Sequence, residues 1–197
     1  MVAFLFASFI SVTSIQSSIA QLQTKAEDEQ ATLQTHCSAV VLDGRNFLLT
    51  EEHCILADKE MFVDGLPVKV VAQQNGLAVL EPRGRSSRWR GVRLREHPLA
   101  IGQQVFAAGH AYGSFFSVTT GRVAGFNEWE GIYLWMDLEV IAGMSGGAIV
   151  DSDGRLVSLV RMSRPDGPFS PNGLAGSADP RHVREIVAAA SRARGKR

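Results

Sequence analysis

Short apolar runs separated by turn residues make up most of the chain. Between residues 37 and 81 the runs are Ser38-Ala39-Val40-Val41-Leu42, Phe47-Leu48-Leu49, Val68-Lys69-Val70-Val71 and Leu77-Ala78-Val79-Leu80. Asp43-Gly44 and Asp64-Gly65 fall between them, and Asp-Gly is a strong hairpin-turn signal. The pattern predicts further strands near 104–108, 114–120, 122–126, 131–137, 147–151 and 155–160. Many short strands at this spacing point to barrels or a sandwich. The period changes only at the end. Val183, Ile186, Val187 and Ala190 recur at helical spacing, behind Asp179 as a cap and Pro180 at the first helical position. One C-terminal helix follows from this, with Arg192, Arg194, Lys196 and Arg197 at the end where cations are favourable. No long helical pattern interrupts the middle, which argues against an α/β-hydrolase framework.

The N-terminus has a different pattern. Met1 to Ile10 is almost wholly apolar, but a membrane span needs about 20 such residues. Ser18-Ile19-Ala20 places small residues where a signal peptidase reads them. This predicts a signal peptide over 1–20, with cleavage before Gln21, and a polar leader over 21–35. The first residues contain no Lys or Arg, which keeps open an uncleaved anchor or a misassigned start. Pro82, Gly84, Ser86, Ser87 and Pro98 mark 82–98 as a connection between two halves.

Charge narrows the functional classes. Twenty basic residues balance twenty acidic ones among 197, so no global field draws the chain to nucleic acid or membrane. Arg83, Arg85, Arg88, Arg90, Arg93 and Arg95 cluster with Trp89. Such a run is read as a solvated connection rather than as an anion or nucleic-acid patch.

The chemistry concentrates in Gly143-Met144-Ser145-Gly146-Gly147, followed by the apolar Ala148-Ile149-Val150. Gly143 allows a turn that points amides inward. The amides of Gly143 and Ser145 can then face a developing oxyanion, while Ser145 serves as nucleophile. Taken alone, the stretch fits a Gly-rich hairpin with an incidental serine equally well. Upstream, Cys37 opens a hairpin that closes on Thr50-Glu51-Glu52-His53-Cys54.

These two stretches together resemble the chymotrypsin-like serine proteases. Pro98 to Val123 and Gly173-Leu174-Ala175 further resemble the bacterial Deg-type branch. The likeness covers about 36–193. It implies an all-β, two-barrel chymotrypsin-like fold with a C-terminal helix. Barrel one would span about 36–82, and barrel two with the helix about 98–193. It implies a Cys37–Cys54 disulfide, which suits an oxidising compartment, hence a secreted or periplasmic protein, or one anchored by its N-terminal segment. His53 becomes the base. His110, between glycines, is read as structural.

The resemblance also implies a triad acid just before Leu77, where this chain has Asn75 and Gly76. Asn75 can orient an imidazole but carries no charge, and asparagine for the acid lowers kcat by roughly 10⁴ in the serine-protease template. Asp58 and Asp64 are read as turn residues. Glu51 and Glu52 are set aside as too near His53 in sequence. Substrate would pair with the strand carrying Ser158, Leu159 and Val160, and Glu139 lies where a P1 pocket base is expected. The expected partner is a polypeptide, without nucleic acid, metal or organic cofactor. The reading is a serine endopeptidase with an atypical or missing acid. The alternative is a pseudoprotease that binds peptides without cutting them.

Overall fold

A computed structural model describes residues 15–25, 33–44, 46–129, 132–161 and 174–194. The strands of the first half are β1 (Ile19–Lys25), β2 (Leu33–Val41), β3 (Leu48–Glu51), β4 (Met61–Val63), β5 (Leu66–Gln74) and β6 (Leu77–Pro82). They close into a barrel in the order β1-β2-β3-β6-β5-β4. The second half holds β7 (Gln104–Ala111), β8 (Phe115–Trp129), β9 (Ile132–Asp137), β10 (Ala148–Asp151), β11 (Leu156–Leu159) and β12 (Leu174–Ser177). These form a six-stranded half-barrel ordered β11-β10-β7-β8-β9-β12. The helix α1 (Pro180–Arg194) follows. This is the two-barrel, all-β architecture with a C-terminal helix that the sequence predicts.

The apolar runs are explained by burial on both faces. Along β3 and β6, Leu48 and Leu80 point into the first barrel, with Leu22, Ala39, Val41 and Val63. Their neighbours Leu49, Leu77 and Val79 point outward, yet are buried against Phe106, Val150 and Leu159 of the second half and Val183, Ile186 and Val187 of α1. A strand alternates its side chains between faces. Here one face fills a barrel and the other fills the seam between barrels, so the run shows no polar alternation. Asp179 caps α1 as expected, its Oδ1 accepting from the Arg181 amide at 2.8 Å.

Three expectations change. Residues 21–25 are no leader, because they belong to β1, which pairs with both β2 and β4. A cut before Gln21 would fall inside that strand and detach Ile15, Ile19 and Ala20, all buried. The apolar run 1–10 lies outside the described residues. Second, the strands expected at 114–120 and 122–126 are one strand, β8. Gly121 does not break it. An added Cβ there would lie 2.4 Å from the Asp137 carbonyl oxygen, so this glycine permits a close backbone approach. Third, the connection is laced into both halves. The Val92 amide donates to Val41 O at 2.9 Å, and the Leu156 amide donates to Arg93 O at 2.7 Å. Arg95 forms a largely buried ion pair with Asp151, and Trp89 is buried. Arg93, in contrast, is an exposed partner of Asp43, as a solvated arginine should be. Among the described residues no helix is long and apolar enough to cross a membrane.

Candidate active site

The Gly143–Gly147 turn sits in the seam between barrels, held by backbone groups from both. Ser145 O accepts from the Ser38 amide of β2 at 2.8 Å. Gly143 O accepts from the Ser38 hydroxyl at 3.0 Å, and that hydroxyl accepts from the His110 amide of β7 at 2.8 Å. On the other side, the Gly146 amide donates to Val160 O at 2.9 Å, and the Val160 amide donates to Gly147 O at 2.8 Å. Space is as constrained as the hydrogen bonding. A Cβ on Gly146 would lie 2.2 Å from Thr50 Oγ1 and 2.4 Å from Ser38 O. Gly143 has φ +90° and Gly146 has φ +77°, both in the region that favours glycine. Among the described residues, the amides of Gly143 and Ser145 donate to no protein carbonyl. Two unspent amides on a rigid turn can bind a developing oxyanion.

His53 lies in a 3-10 turn, Glu52–Cys54, directly after β3. The Cys37–Cys54 disulfide, with Cα atoms 6.0 Å apart, ties this turn to β2. Closing a loop of this size contributes about 3 kcal/mol in the chain-entropy model. The bridge also brings the two halves of the site together. Cys54 Sγ lies 3.8 Å from His53 Nε2 and 3.8 Å from Ser145 O. A His53 ring nitrogen and both sulfurs lie within 4.8 Å of one another, but the sulfurs are spent in the disulfide and offer no thiolate to a metal.

The acid position is built differently. The Glu52 amide donates to Gly76 O at 2.8 Å, which docks the His53 turn on the β5–β6 hairpin. Asn75 and Gly76 are the two central residues of that hairpin, with φ +56° and +77°. Asn-Gly suits a type I′ turn for this reason. Asn75 is exposed and makes no hydrogen bond to His53 among the described residues. Arg161, just beyond β11, fills the space instead. A Cβ on Gly76 would lie 3.0 Å from its Nη1. Its Nε lies 3.9 Å from Glu51 Oε2. Glu51, at the end of β3, is fully buried, and neither carboxyl oxygen has a hydrogen-bond partner among the described residues. Burial pushes its pKa up to about 8, against an opposing pull from Arg161. Sequence reasoning set Glu51 aside; its signal was a charged residue continuing the apolar run Phe47-Leu48-Leu49 toward His53.

His53 feels the same groups. Desolvation holds its pKa below the usual imidazole value, and the charges of Arg161 and His36 lower it further. His36 borders the turn, its Nε2 3.0 Å from Cys54 O. A cleft of about 330 Å³ opens beyond Arg161, lined also by Asn75, Gly76, Tyr133, Arg181 and His182.

The side chains of Ser158, Leu159 and Val160 are buried. The Ser158 hydroxyl donates to Ala178 O at 2.8 Å, and both backbone groups of Val160 are used by the nucleophile turn. Glu139 is exposed, its carbonyl accepting from Thr119 Oγ1 at 2.6 Å. Asp64 is a turn residue, as expected, and its carboxylate accepts from the Gln21 amide and Trp89 Nε1. His110 lies on β7 with its ring edge-on to Phe116.

Comparison with known proteins accords with this geometry. Residues 37–159 match the family model of the trypsin-like peptidase domain. A solved structure, the Rv3671c protease from M. tuberculosis in its active form, superposes with a TM-score of 0.73 at 16% identity. The alignment covers 90% of this chain and 82% of that one. No curated protein matches the chain. With strand order, seam and nucleophile turn arranged as described, and with the family model spanning more than half its length, the chain belongs to the trypsin-like peptidase family.

Proposed function

We propose that the chain is a serine endopeptidase, with Ser145 as nucleophile and His53 as base. The Ser145 Oγ attacks the scissile carbonyl carbon while its proton passes to His53. The carbonyl electron pair moves to oxygen, where the Gly143 and Ser145 amides receive it. Collapse of this intermediate breaks the C–N bond, and His53 returns the proton to the leaving amine. Water repeats the cycle to release the acyl group. The observation that carries the reading is the nucleophile turn itself. It is fixed by both barrels, has two unspent amides, and is joined to the His53 turn through Cys54. The disulfide supports an oxidising location, secreted or periplasmic, with residues from Ile15 onward kept in the mature chain. N-terminal sequencing of exported protein tests that boundary, and a start at Gln21 would overturn it.

The test of the chemistry is labelling with a serine-directed fluorophosphonate. Wild type should label and cleave peptides slowly. Ser145→Ala should lose both while its circular dichroism is unchanged. A second reading, a peptide-binding pseudoprotease, is favoured by one observation: a guanidinium stands where an orienting carboxylate is expected. If wild type neither labels nor cleaves a peptide library, yet Ser145→Ala binds peptides, that reading replaces the first.

A further inference from the structure

Glu51 is a buried acid that the mechanism above does not use. Fully buried carboxyl groups are rare unless they are paired. This one has Arg161 at 3.9 Å and no hydrogen bond to either oxygen. It stands two residues before His53, on the strand that delivers that histidine to the site. Arg161 is the shared neighbour, because it faces Glu51, packs on the Gly76 turn and acts on His53. We propose that Glu51 is the positioning acid of this site, acting through Arg161. Its charge state decides how much of the Arg161 charge opposes the imidazolium on His53. The inference rests on the Ser145–His53 reading and names the device that replaces its missing carboxylate.

The physical argument is a balance of charges. A triad acid helps because it stabilises the imidazolium formed as serine loses its proton. Here a cation faces that imidazolium, which raises the cost of the step. While Glu51 is protonated it offers no counter-charge. Once ionised, it offsets Arg161, and proton transfer to His53 becomes easier. Burial places this change at about pH 8. Among the described residues, other charged groups also face the pair. Glu52 on the same turn acts on Glu51, and His36 of β2 acts on His53. Arg181 and His182 of α1 line the cleft beyond Arg161, with Asp179 held by Arg181 at 2.7 Å. The nucleophile turn and the Asn75–Gly76 turn bring no ionisable side chain.

The experiment follows fluorophosphonate labelling of the full chain from about pH 5 to about pH 9. Wild type should show one rise as His53 loses its proton and a second as Glu51 ionises. In Glu51→Gln the second rise should vanish. In Arg161→Met labelling at neutral pH should increase, by at most about tenfold for each unit that the His53 pKa rises while it stays below the assay pH. Its second rise should also vanish, since no Arg161 charge is left for Glu51 to offset. Nuclear magnetic resonance of the His53 ring gives a readout independent of turnover. Its pKa should rise in Arg161→Met, and the wild-type shift should show a second inflection that Glu51→Gln removes. If Glu51→Gln keeps the alkaline rise, or Arg161→Met leaves the His53 pKa unchanged, the inference is overturned. If Glu51→Gln does not fold, Arg161→Met decides alone. If nothing labels at any pH, the serine-protease reading fails, and the ring titration still decides the role of Glu51.

Discussion

Gly146 and Gly76 have the same backbone angle, φ +77°, and stand on opposite sides of the candidate site. Around Gly146 the neighbours are a backbone carbonyl and a buried hydroxyl that cannot retreat. Around Gly76 the neighbour is the tip of an arginine side chain. The nucleophile side is therefore built from main-chain hydrogen bonds between two barrels. The acid side is built from side-chain charges that other side chains can replace. A protein of this design can keep the backbone geometry of the Gly143–Gly147 turn while the charges beside His53 change, because the two depend on different kinds of contact.

The largest test of that contrast is Gly146→Ala. The new methyl would overlap Thr50 and Ser38, and its neighbours are fixed, so overpacking and strain together should cost about 4 kcal/mol or more. Denaturant unfolding should show it, and labelling at Ser145 should disappear with it. A loss under about 1 kcal/mol would mean that the seam yields and the comparison is wrong.

Next comes Leu22→Ala in β1. Leu22 is fully buried in the first barrel, and such a truncation costs about 3 kcal/mol. A leader residue would cost nothing, so the melting temperature separates barrel strand from leader.

Glu51→Gln should change the pH dependence of stability. The folded-state pKa of about 8 lies above the ordinary carboxyl value. The group thus favours the fold at low pH, and that stability is lost as pH rises between the two values. Over that window wild type should lose about 1.4 kcal/mol per pH unit more than Glu51→Gln. Parallel curves for the two proteins, measured by urea unfolding, would contradict a raised pKa.

Smallest is Gly76→Ala. Its left-handed backbone costs about 1 kcal/mol, and the guanidinium can shift to admit a methyl. For the same reason Gly76→Asp alone should not restore fast turnover. Its carboxylate would start from a strained backbone and meet Arg161 before it met His53.

The fold was legible because burial on both faces leaves unbroken apolar runs. Leu77-Ala78-Val79-Leu80 identifies a strand without any structure, and Asp64-Gly65 identifies the turn between β4 and β5. The Gly143–Gly147 turn was legible through its glycines, which mark backbone conformations and close approaches that few other residues tolerate. Gly121 shows the limit of that logic, since a glycine for close approach and a glycine for a chain break look the same in sequence. The polar stretch after Ala20 hid β1, because a strand with half-buried glutamines on one face and a leader share a composition.

The acid site was least legible. Gly76 correctly announced that no side chain stands there, but nothing near it announced Arg161, which lies just beyond β11, 85 residues further on. By itself the sequence determined the strands, the hairpin turns, the glycine turn around Ser145 and the absence of a carboxylate before Leu77. These depend on local backbone preference and on the period of burial. Only the tertiary structure decided what fills the empty place and which buried acid faces it. Electrostatic contacts depend on distance through space, and chain order does not record that distance.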